Sequence, residues 1–316
     1  MPESDFTLEE LRPSPDPRDL RASSLLRPWR EGEAIRERSV LLGLPYDGGI
    51  PSRPGARFGP RALREALGSF GSYDGEREPA EGAGVLDLGD LALPSMNGAA
   101  AHARIEQAAE RVFSAGARPI FVGGDHGITG SLIRGLAAAR PNLKLALVTL
   151  DAHLDVREYE GEASLSSGTP FRRALESPIL AGERMAMIGI RRFANSRFYL
   201  DWAREQGIHL FTVDDVDERG AATVAGEALR RVMQDADGIY LSIDLDAAEA
   251  AAAPGVSAAG VSGLTAREMI ALVREIGSDP RLVGADLMEL SPPYDEGGRT
   301  AKLAARLLLE LLAARA

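Results

Sequence analysis

The sequence has no cysteine among its 316 residues, which excludes disulfide bonds, thiolate metal sites and a cysteine nucleophile. Histidine occurs only four times, and aromatic residues make up 5% of the chain. No apolar run approaches the roughly 20 residues of a membrane helix, and the acidic N-terminus lacks the apolar segment of a signal peptide. The net charge of −11 argues against nucleic acid or an anionic membrane as the main partner. We therefore expect a cytoplasmic protein.

Two regions differ in their hydrophobic pattern. Residues 1–37 are rich in proline and charge and show no sustained period, so we expect an irregular N-terminal arm there. From residue 38 to residue 316, apolar runs typical of buried strands alternate with amphipathic helical segments. This alternation predicts a single α/β domain with one parallel sheet covered by helices on both faces.

Three polar residues follow the most apolar of the predicted strands, Leu143–Leu150. These residues are Asp151, His153 and Asp155, and alternate positions of an extended segment point the same way. The carboxyl ends of parallel strands are also where open α/β sheets bind their ligands. Aspartate at a strand end is common turn chemistry as well, so this motif alone leaves both interpretations open.

The same kind of residue follows three further predicted strands. These residues are His126, Asp244, Asp246 and Glu289. Four strand ends with the same chemistry are hard to explain as turns, and we expect them to meet at one edge of the sheet. The two remaining histidines, His102 and His209, are expected to be structural or exposed.

Two imidazoles and four aspartates form a ligand set large enough for two divalent ions. The four carboxylate charges balance two divalent cations, and oxygen-rich ligation without thiolate favours Mn²⁺ over a structural Zn²⁺. A water shared by two such ions has its pKa lowered towards roughly 7, which provides a nucleophile at neutral pH. The pattern therefore indicates a hydrolytic metal centre.

Three segments resemble the signatures of the ureohydrolase (arginase/agmatinase) family in order and spacing: Gly123–His126, Asp151–Asp155 and Ser242–Asp246. Arg53–Pro60 and Glu289–Asp295 are also similar to that family. The resemblance implies a three-layer α/β/α fold around an eight-stranded parallel sheet. It also implies two Mn²⁺ per subunit, an arginase-like catalytic domain over residues 38–316, and a trimeric or hexameric homo-oligomer.

The resemblance assigns a role to each site residue. One ion would be ligated by His126, Asp151, Asp155 and Asp244. The other would be ligated by Asp151, His153, Asp244 and Asp246, so that Asp151 and Asp244 bridge the two ions. Glu289 would pair with the cationic amidine group of the substrate.

Departures from the arginase and agmatinase pattern reduce the number of candidate substrates. Ala247–Ala250 replaces the usual Asp-Pro pair, and Ser167 stands where those enzymes carry a proton-shuttling histidine. The runs Ser166–Arg172 and Ala253–Ser257 resemble the formimidoylglutamase branch of the family. Arg157 also fits that branch, because it could bind a substrate carboxylate, although it could instead pair with the Asp ligands.

The leading hypothesis is hydrolysis of N-formimidoyl-L-glutamate to L-glutamate and formamide in histidine degradation. In it, Asp155 transfers a proton to the leaving amine, and Arg157, Ser167 and Glu289 contact the substrate. The alternative is an agmatinase or guanidinobutyrase that releases urea, which the agmatinase-like Arg53–Phe58 favours. A third hypothesis is a metal-binding scaffold without activity.

Overall fold

The computed structural model describes residue 16 and residues 18–75 and 84–314. Much of the predicted N-terminal arm, residues 1–15 and 17, lies outside this range. The strands are β1 (Leu26–Pro28), β2 (Ser39–Leu44), β3 (Val85–Asp90), β4 (Arg118–Gly123), β5 (Leu145–Leu150), β6 (Leu180–Ile190), β7 (His209–Thr212), β8 (Gly238–Asp244) and β9 (Leu282–Met288). The α-helices are α1 (Gly59–Ala66), α2 (Gly98–Ser114), α3 (Ile128–Ala139), α4 (Pro170–Leu175), α5 (Arg197–Glu205), α6 (Val213–Arg219), α7 (Ala221–Val232), α8 (Ala266–Gly277) and α9 (Arg299–Ala313).

The described strands form one sheet in the order β1-β3-β2-β4-β9-β8-β5-β6-β7. Every pairing is parallel, as the sequence predicts. The sheet has nine strands where eight were expected, because β1 adds an edge strand beside β3. This strand lies within residues 1–37, for which an irregular arm was predicted. The prediction of irregular structure is therefore wrong for Leu26–Pro28.

Side chains of β5 show how the sheet separates two cores. Leu145 and Leu147 belong to one buried cluster, whereas Ala146, Val148 and Leu150 belong to the other. Successive residues of a strand point to opposite faces, so a central strand buried on both sides must be apolar throughout. The predicted three-layer α/β/α architecture is confirmed.

Helices cover each face with an apolar stripe. α8 is typical: Met269, Leu272, Val273 and Ile276 are buried at helical spacing, and a capping box between Thr265 and Glu268 begins the helix. Together with α1, α7 and α9 it packs on one face, while α2, α3, α4 and α5 pack on the other. In residues 18–75 and 84–314, every helix is too short or too polar to span a membrane.

Candidate metal centre

Four adjacent strands of the sheet lead into the predicted site residues. In spatial order they are β4, β9, β8 and β5, and their carboxyl ends lie at the same edge because all are parallel. His126 follows β4, Glu289 follows β9, Asp244 ends β8, and Asp151 follows β5. The parallel sheet thus brings together residues that are more than 100 positions apart in the chain.

The loop after β4 holds His126 against the neighbouring strand. Gly124 donates its N–H to the carbonyl of Leu44 (3.0 Å), and Asp125 donates its N–H to the carbonyl of Tyr46 (2.9 Å). His126 is fully buried at the end of this loop, and Phe171 packs edge-on against its ring. The ring is therefore fixed by backbone and packing on several sides.

Gly124 is required for this close approach. A methyl group there would place its carbon 1.6 Å from the carbonyl oxygen of Tyr46. We expect Gly124→Ala to lower the free energy of unfolding by about 3 kcal/mol or more, the upper end for an overpacked site. Denaturant unfolding should show this against Gly68→Ala, where no heavy atom lies within 4 Å of the added carbon. Equal stability of the two variants would contradict the prediction.

The loop after β5 carries three of the predicted ligands. Asp151 is fully buried, and its Oδ1 accepts the N–H of His153 (2.6 Å). Asp155 has a φ of 47°, a left-handed backbone that a non-glycine residue seldom adopts. Asn195 holds this loop, because its Oδ1 accepts the N–H of Leu154 (2.9 Å) and its Nδ2 donates to the carbonyl of Ala152 (3.1 Å).

The side chains meet in two overlapping groups. His126, Asp151, Asp155 and Asp244 form the first group, and Asp151, His153 and Asp246 form the second; within each group the ligand atoms lie within 4.8 Å of one another. In the first group, Nδ1 of His126 lies 2.9 Å from Asp244 Oδ2 and 3.2 Å from an Oδ2 of both Asp151 and Asp155. In the second, Nδ1 of His153 lies 3.1 Å from Asp246 Oδ2. All six predicted ligands therefore come together.

Asp151 is shared by both groups, as a bridging ligand would be. Asp244 belongs to the first group only, and its Oδ1 accepts the N–H of Asp246 (2.7 Å). Bridging by Asp151 agrees with this geometry, whereas bridging by Asp244 stays a prediction.

The electrostatics of the cluster favour cations. Burial and the neighbouring carboxylates raise the pKa of Asp151 well above its usual value and that of Asp244 to about 7. Burial lowers the pKa of His153, but the charges of Asp246 and Asp151 prevail and raise it to about 10. The same balance raises the pKa of His126 well above its usual value. Crowded buried carboxylates thus stabilise positive charge at this edge.

Two buried atoms of the cluster have no hydrogen-bond partner: Nδ1 of His126 and Oδ2 of Asp151. A buried polar atom without a partner is costly, and both atoms point into the first group. Nitrogen and carboxylate donors without sulfur suit Mn²⁺. The residues present therefore fit the predicted pair of divalent ions.

Glu289 lies beside the cluster without joining either group. It is buried with a φ of 69°, its Oε1 accepts the N–H of His126 (2.8 Å), and its Oε2 accepts the hydroxyl of Ser257. Burial, and then the charge of Asp244, raises the pKa of Glu289 well above its usual value. A carboxylate held in this way is suited to a cationic partner.

Arg157 lines a cavity of about 140 Å³ at the mouth of the cluster, together with His153, Asp155, Asn195 and Tyr199. Its backbone N–H donates to the carbonyl of Gly168 (2.9 Å) and its Nη1 donates to the hydroxyl of Tyr159 (3.1 Å). It forms no ion pair with an Asp ligand in the part of the chain that the structure describes.

Ser167 is placed by its backbone, whose N–H donates to the carbonyl of Gly49 (3.1 Å), and it does not line the cavity that contains Arg157. His102 is buried against Ser131, as expected of a structural histidine, and His209 is partly exposed at the start of β7.

The sequence did not reveal Asn195 or Ser257 as parts of this centre. Asn195 lies five residues beyond β6, at the same edge of the sheet. Its position after a predicted strand is the one feature of the sequence that could have indicated its role. Ser257 belongs to the run Ala253–Ser257, which was recognised by resemblance, but its contact with Glu289 depends on the path of a long loop.

Comparison with known proteins places the chain in a family. The model described as "Arginase family" matches residues 37–314. A formimidoylglutamase from Halobacterium salinarum is 37% identical over 304 residues, covering 95% of each chain. A guanidinopropionase from Pseudomonas aeruginosa is 39% identical over 276 residues, covering 86% of this chain and 85% of the relative.

The fold agrees with these matches. A crystal structure of Trypanosoma cruzi formiminoglutamase with Mn²⁺ has a TM-score of 0.84 and 26% identity, and covers 94% of this chain and 98% of that one. The sequence match, the common fold and the grouping of the six predicted ligands lead to one conclusion: the chain belongs to the arginase family.

Proposed function

We propose that the chain is a hydrolase with two Mn²⁺ ions that converts N-formimidoyl-L-glutamate and water to L-glutamate and formamide. The observation that carries the proposal is the buried cluster of two histidines and four aspartates beside Glu289. The similarity to formimidoylglutamases over nearly the whole chain supports the choice of substrate.

The two groups of ligands divide between the ions. His126, Asp151, Asp155 and Asp244 would hold one ion, and Asp151, His153 and Asp246, with Asp244 as a further candidate, would hold the other. Two divalent ions would supply a water of lowered pKa and stabilise negative charge that develops on the substrate.

Asp155 is positioned to move the proton. Its side chain is only 11% exposed, and it both touches the first ligand group and lines the cavity at the mouth of the centre. In the proposed reaction, water adds to the formimidoyl carbon and the bond from that carbon to the glutamate nitrogen breaks. Asp155 accepts the proton that the water loses and passes it to the leaving amine.

Glu289 binds the amidine group. A formamidinium carries one positive charge, and the buried carboxylate of Glu289 would balance that charge away from water. Hydrogen bonds from His126 and Ser257 to its two oxygens fix where the carboxylate points. The amidine carbon is thereby held near the metal centre.

Arg157 is proposed to bind a carboxylate of the glutamate half. Its position in the cavity shared with His153 and Asp155 is where a substrate would extend away from the cluster. Ser167 lies in the loop that packs against Gly49, and its contact with substrate stays a prediction.

Removal of the Arg157 side chain should weaken substrate binding and leave the metals in place. We expect Arg157→Ala to lower kcat/KM for formimidoylglutamate roughly ten- to hundredfold, mainly through KM, as for loss of a charge-assisted contact of about 1.5–3 kcal/mol. Arg204→Ala is the control, because Arg204 lies on α5 and its side chain forms an exposed ion pair with Asp201. An unchanged KM in Arg157→Ala would contradict this role.

The second candidate is a urea-forming hydrolase, which the 39% identity to guanidinopropionase favours. One assay separates the candidates: the Mn²⁺-loaded chain with formimidoylglutamate, agmatine, arginine and guanidinobutyrate, with glutamate and urea measured separately. Urea release as fast as glutamate release would favour the second candidate. Metal binding without turnover of any amidine would favour an inactive scaffold.

We also propose that the chain works as a trimer or hexamer in the cytoplasm, as the family resemblance implies. Analytical ultracentrifugation measures the assembly directly, and a purely monomeric chain would refute that part of the proposal.

A further inference from the structure

Asp286 is a buried carboxylate that the proposed reaction does not use. It lies inside β9, where the residues around it are apolar. Its Oδ2 accepts the hydroxyls of Thr129 (2.9 Å) and Tyr240 (2.9 Å), and its Oδ1 accepts the hydroxyl of Ser242 (2.7 Å). No arginine or lysine among the described residues forms an ion pair with it.

Ser242 connects Asp286 to the metal centre. It lies opposite Asp286 in the register of β8 and β9, and its Oγ is 3.0 Å from Nε2 of His126. A serine hydroxyl has one proton, and here that proton is donated to Asp286. The oxygen of Ser242 must therefore accept a hydrogen bond from Nε2–H of His126.

This chain of hydrogen bonds determines which ring nitrogen of the neutral His126 carries the proton. With the proton on Nε2, the neutral ring has its lone pair on Nδ1, the buried atom that faces Asp151, Asp155 and Asp244. A histidine that ligates a metal through one nitrogen commonly donates its other N–H to an oxygen, which fixes the ring and strengthens it as a ligand.

We propose that Asp286 is a positioning residue for a divalent cation: through Ser242 it orients His126 and keeps Nδ1 available as a ligand. The inference rests on the metal site of the proposed function. It adds a residue that does not contact the metal but is hydrogen-bonded, through Ser242, to one of the ligands. Asp286 serves only the ion held by His126, because the hydrogen-bond path ends there and does not reach His153.

A purely structural role makes a different prediction. Asp286 also ties β9 to α3 through Thr129 and to β8 through Tyr240. If that were its whole purpose, loss of any of its three partners would lower stability alike, and none would selectively weaken one metal ion.

The test is a calorimetric titration of the metal-free full chain with Mn²⁺. In Ser242→Ala we expect one of the two ions to bind about 10–100-fold more weakly, as is typical when the partner of a ligating histidine is lost, and the other to bind as before. Asp286→Asn should weaken the same ion. The variant with both substitutions should bind Mn²⁺ no more weakly than the weaker-binding single variant, since both residues act through the same hydrogen bonds.

Tyr240→Phe is the matched control. Tyr240 is buried on the same strand as Ser242 and donates to the same carboxylate, but to the oxygen that does not face Ser242. Its loss should reduce stability while both Mn²⁺ affinities stay close to those of the unmodified chain. If Asp286→Asn does not fold, the comparison of Ser242→Ala with Tyr240→Phe still decides.

Three results would overturn the inference. The first is that Ser242→Ala binds both ions as tightly as the unmodified chain does, and the second is that Tyr240→Phe loses as much affinity as Ser242→Ala. In either case Asp286 acts through packing alone, and the proposed function stands. If the unmodified chain binds no Mn²⁺, the proposed metal centre fails together with this inference.

Discussion

Replacing Asp151 by asparagine is expected to weaken both proposed manganese sites and abolish turnover. Asp151 is the residue common to both ligand groups, and it is fully buried. An amide is neutral, so the centre loses one of its four carboxylate charges at the residue that both ligand groups share. The loss in Mn²⁺ affinity should exceed the roughly 10–100-fold that is typical when a residue hydrogen-bonded to a metal ligand is replaced.

Metal analysis after dialysis checks this expectation, with Asp201→Asn as a control because Asp201 pairs with Arg197 and Arg204 at the surface. Two full equivalents of manganese in Asp151→Asn would contradict its bridging role. Asp244→Asn should also abolish activity, and it tests the second predicted bridge: loss of both ions would support bridging, and loss of the first alone would agree with the grouping in the structure.

Glu289→Gln is expected to keep both metals and to lose turnover by about a hundred- to thousandfold, the scale seen when one electrostatic contact to the reacting group is removed. The amide of glutamine keeps one oxygen that can accept the N–H of His126, and its NH2 group can donate to the hydroxyl of Ser257. Because it is neutral, it cannot balance a formamidinium in a buried site. Steady-state kinetics on formimidoylglutamate, together with metal analysis of the same sample, measures both effects.

Glu296→Gln is the matched control for this substitution. Glu296 lies seven residues further along the chain, is exposed and pairs with Arg299, so losing its charge should not change turnover. Manganese missing from Glu289→Gln would show that Glu289 is a ligand and would refute its role in binding the substrate.

Much of the fold could be predicted because the pattern is strong where both faces of a strand are buried. The predicted strand Leu143–Leu150 differs from β5 (Leu145–Leu150) by two residues at its start only. β1 was missed because it has only three residues, includes Pro28 and is largely exposed. α6 is short and mostly charged, so it has little hydrophobic pattern, although the capping box of Thr212 with Asp215 marks its start.

The meeting of the six candidate ligands could be predicted because the carboxyl ends of parallel strands lie at one edge of the sheet. The contacts of Asn195 and Ser257 could not, because they depend on loops whose path the hydrophobic pattern does not determine. Asp286 left a weaker signal, a single charge within the apolar strand Leu282–Met288, but the hydrogen bonds around it required the register of β8 and β9.

The order of the strands has a consequence for folding. The first ligand group draws on residues after β4, β5 and β8, which meet only when β9 lies between β4 and β8, whereas the second group needs only the pairing of β5 with β8. An unfolded chain holds at most the ligands of one loop, so any cation the full set binds favours the native state by mass action. Pairing of β9 with β4 and β8 would then be coupled to metal binding, and a chelator would lower the stability of the folded chain.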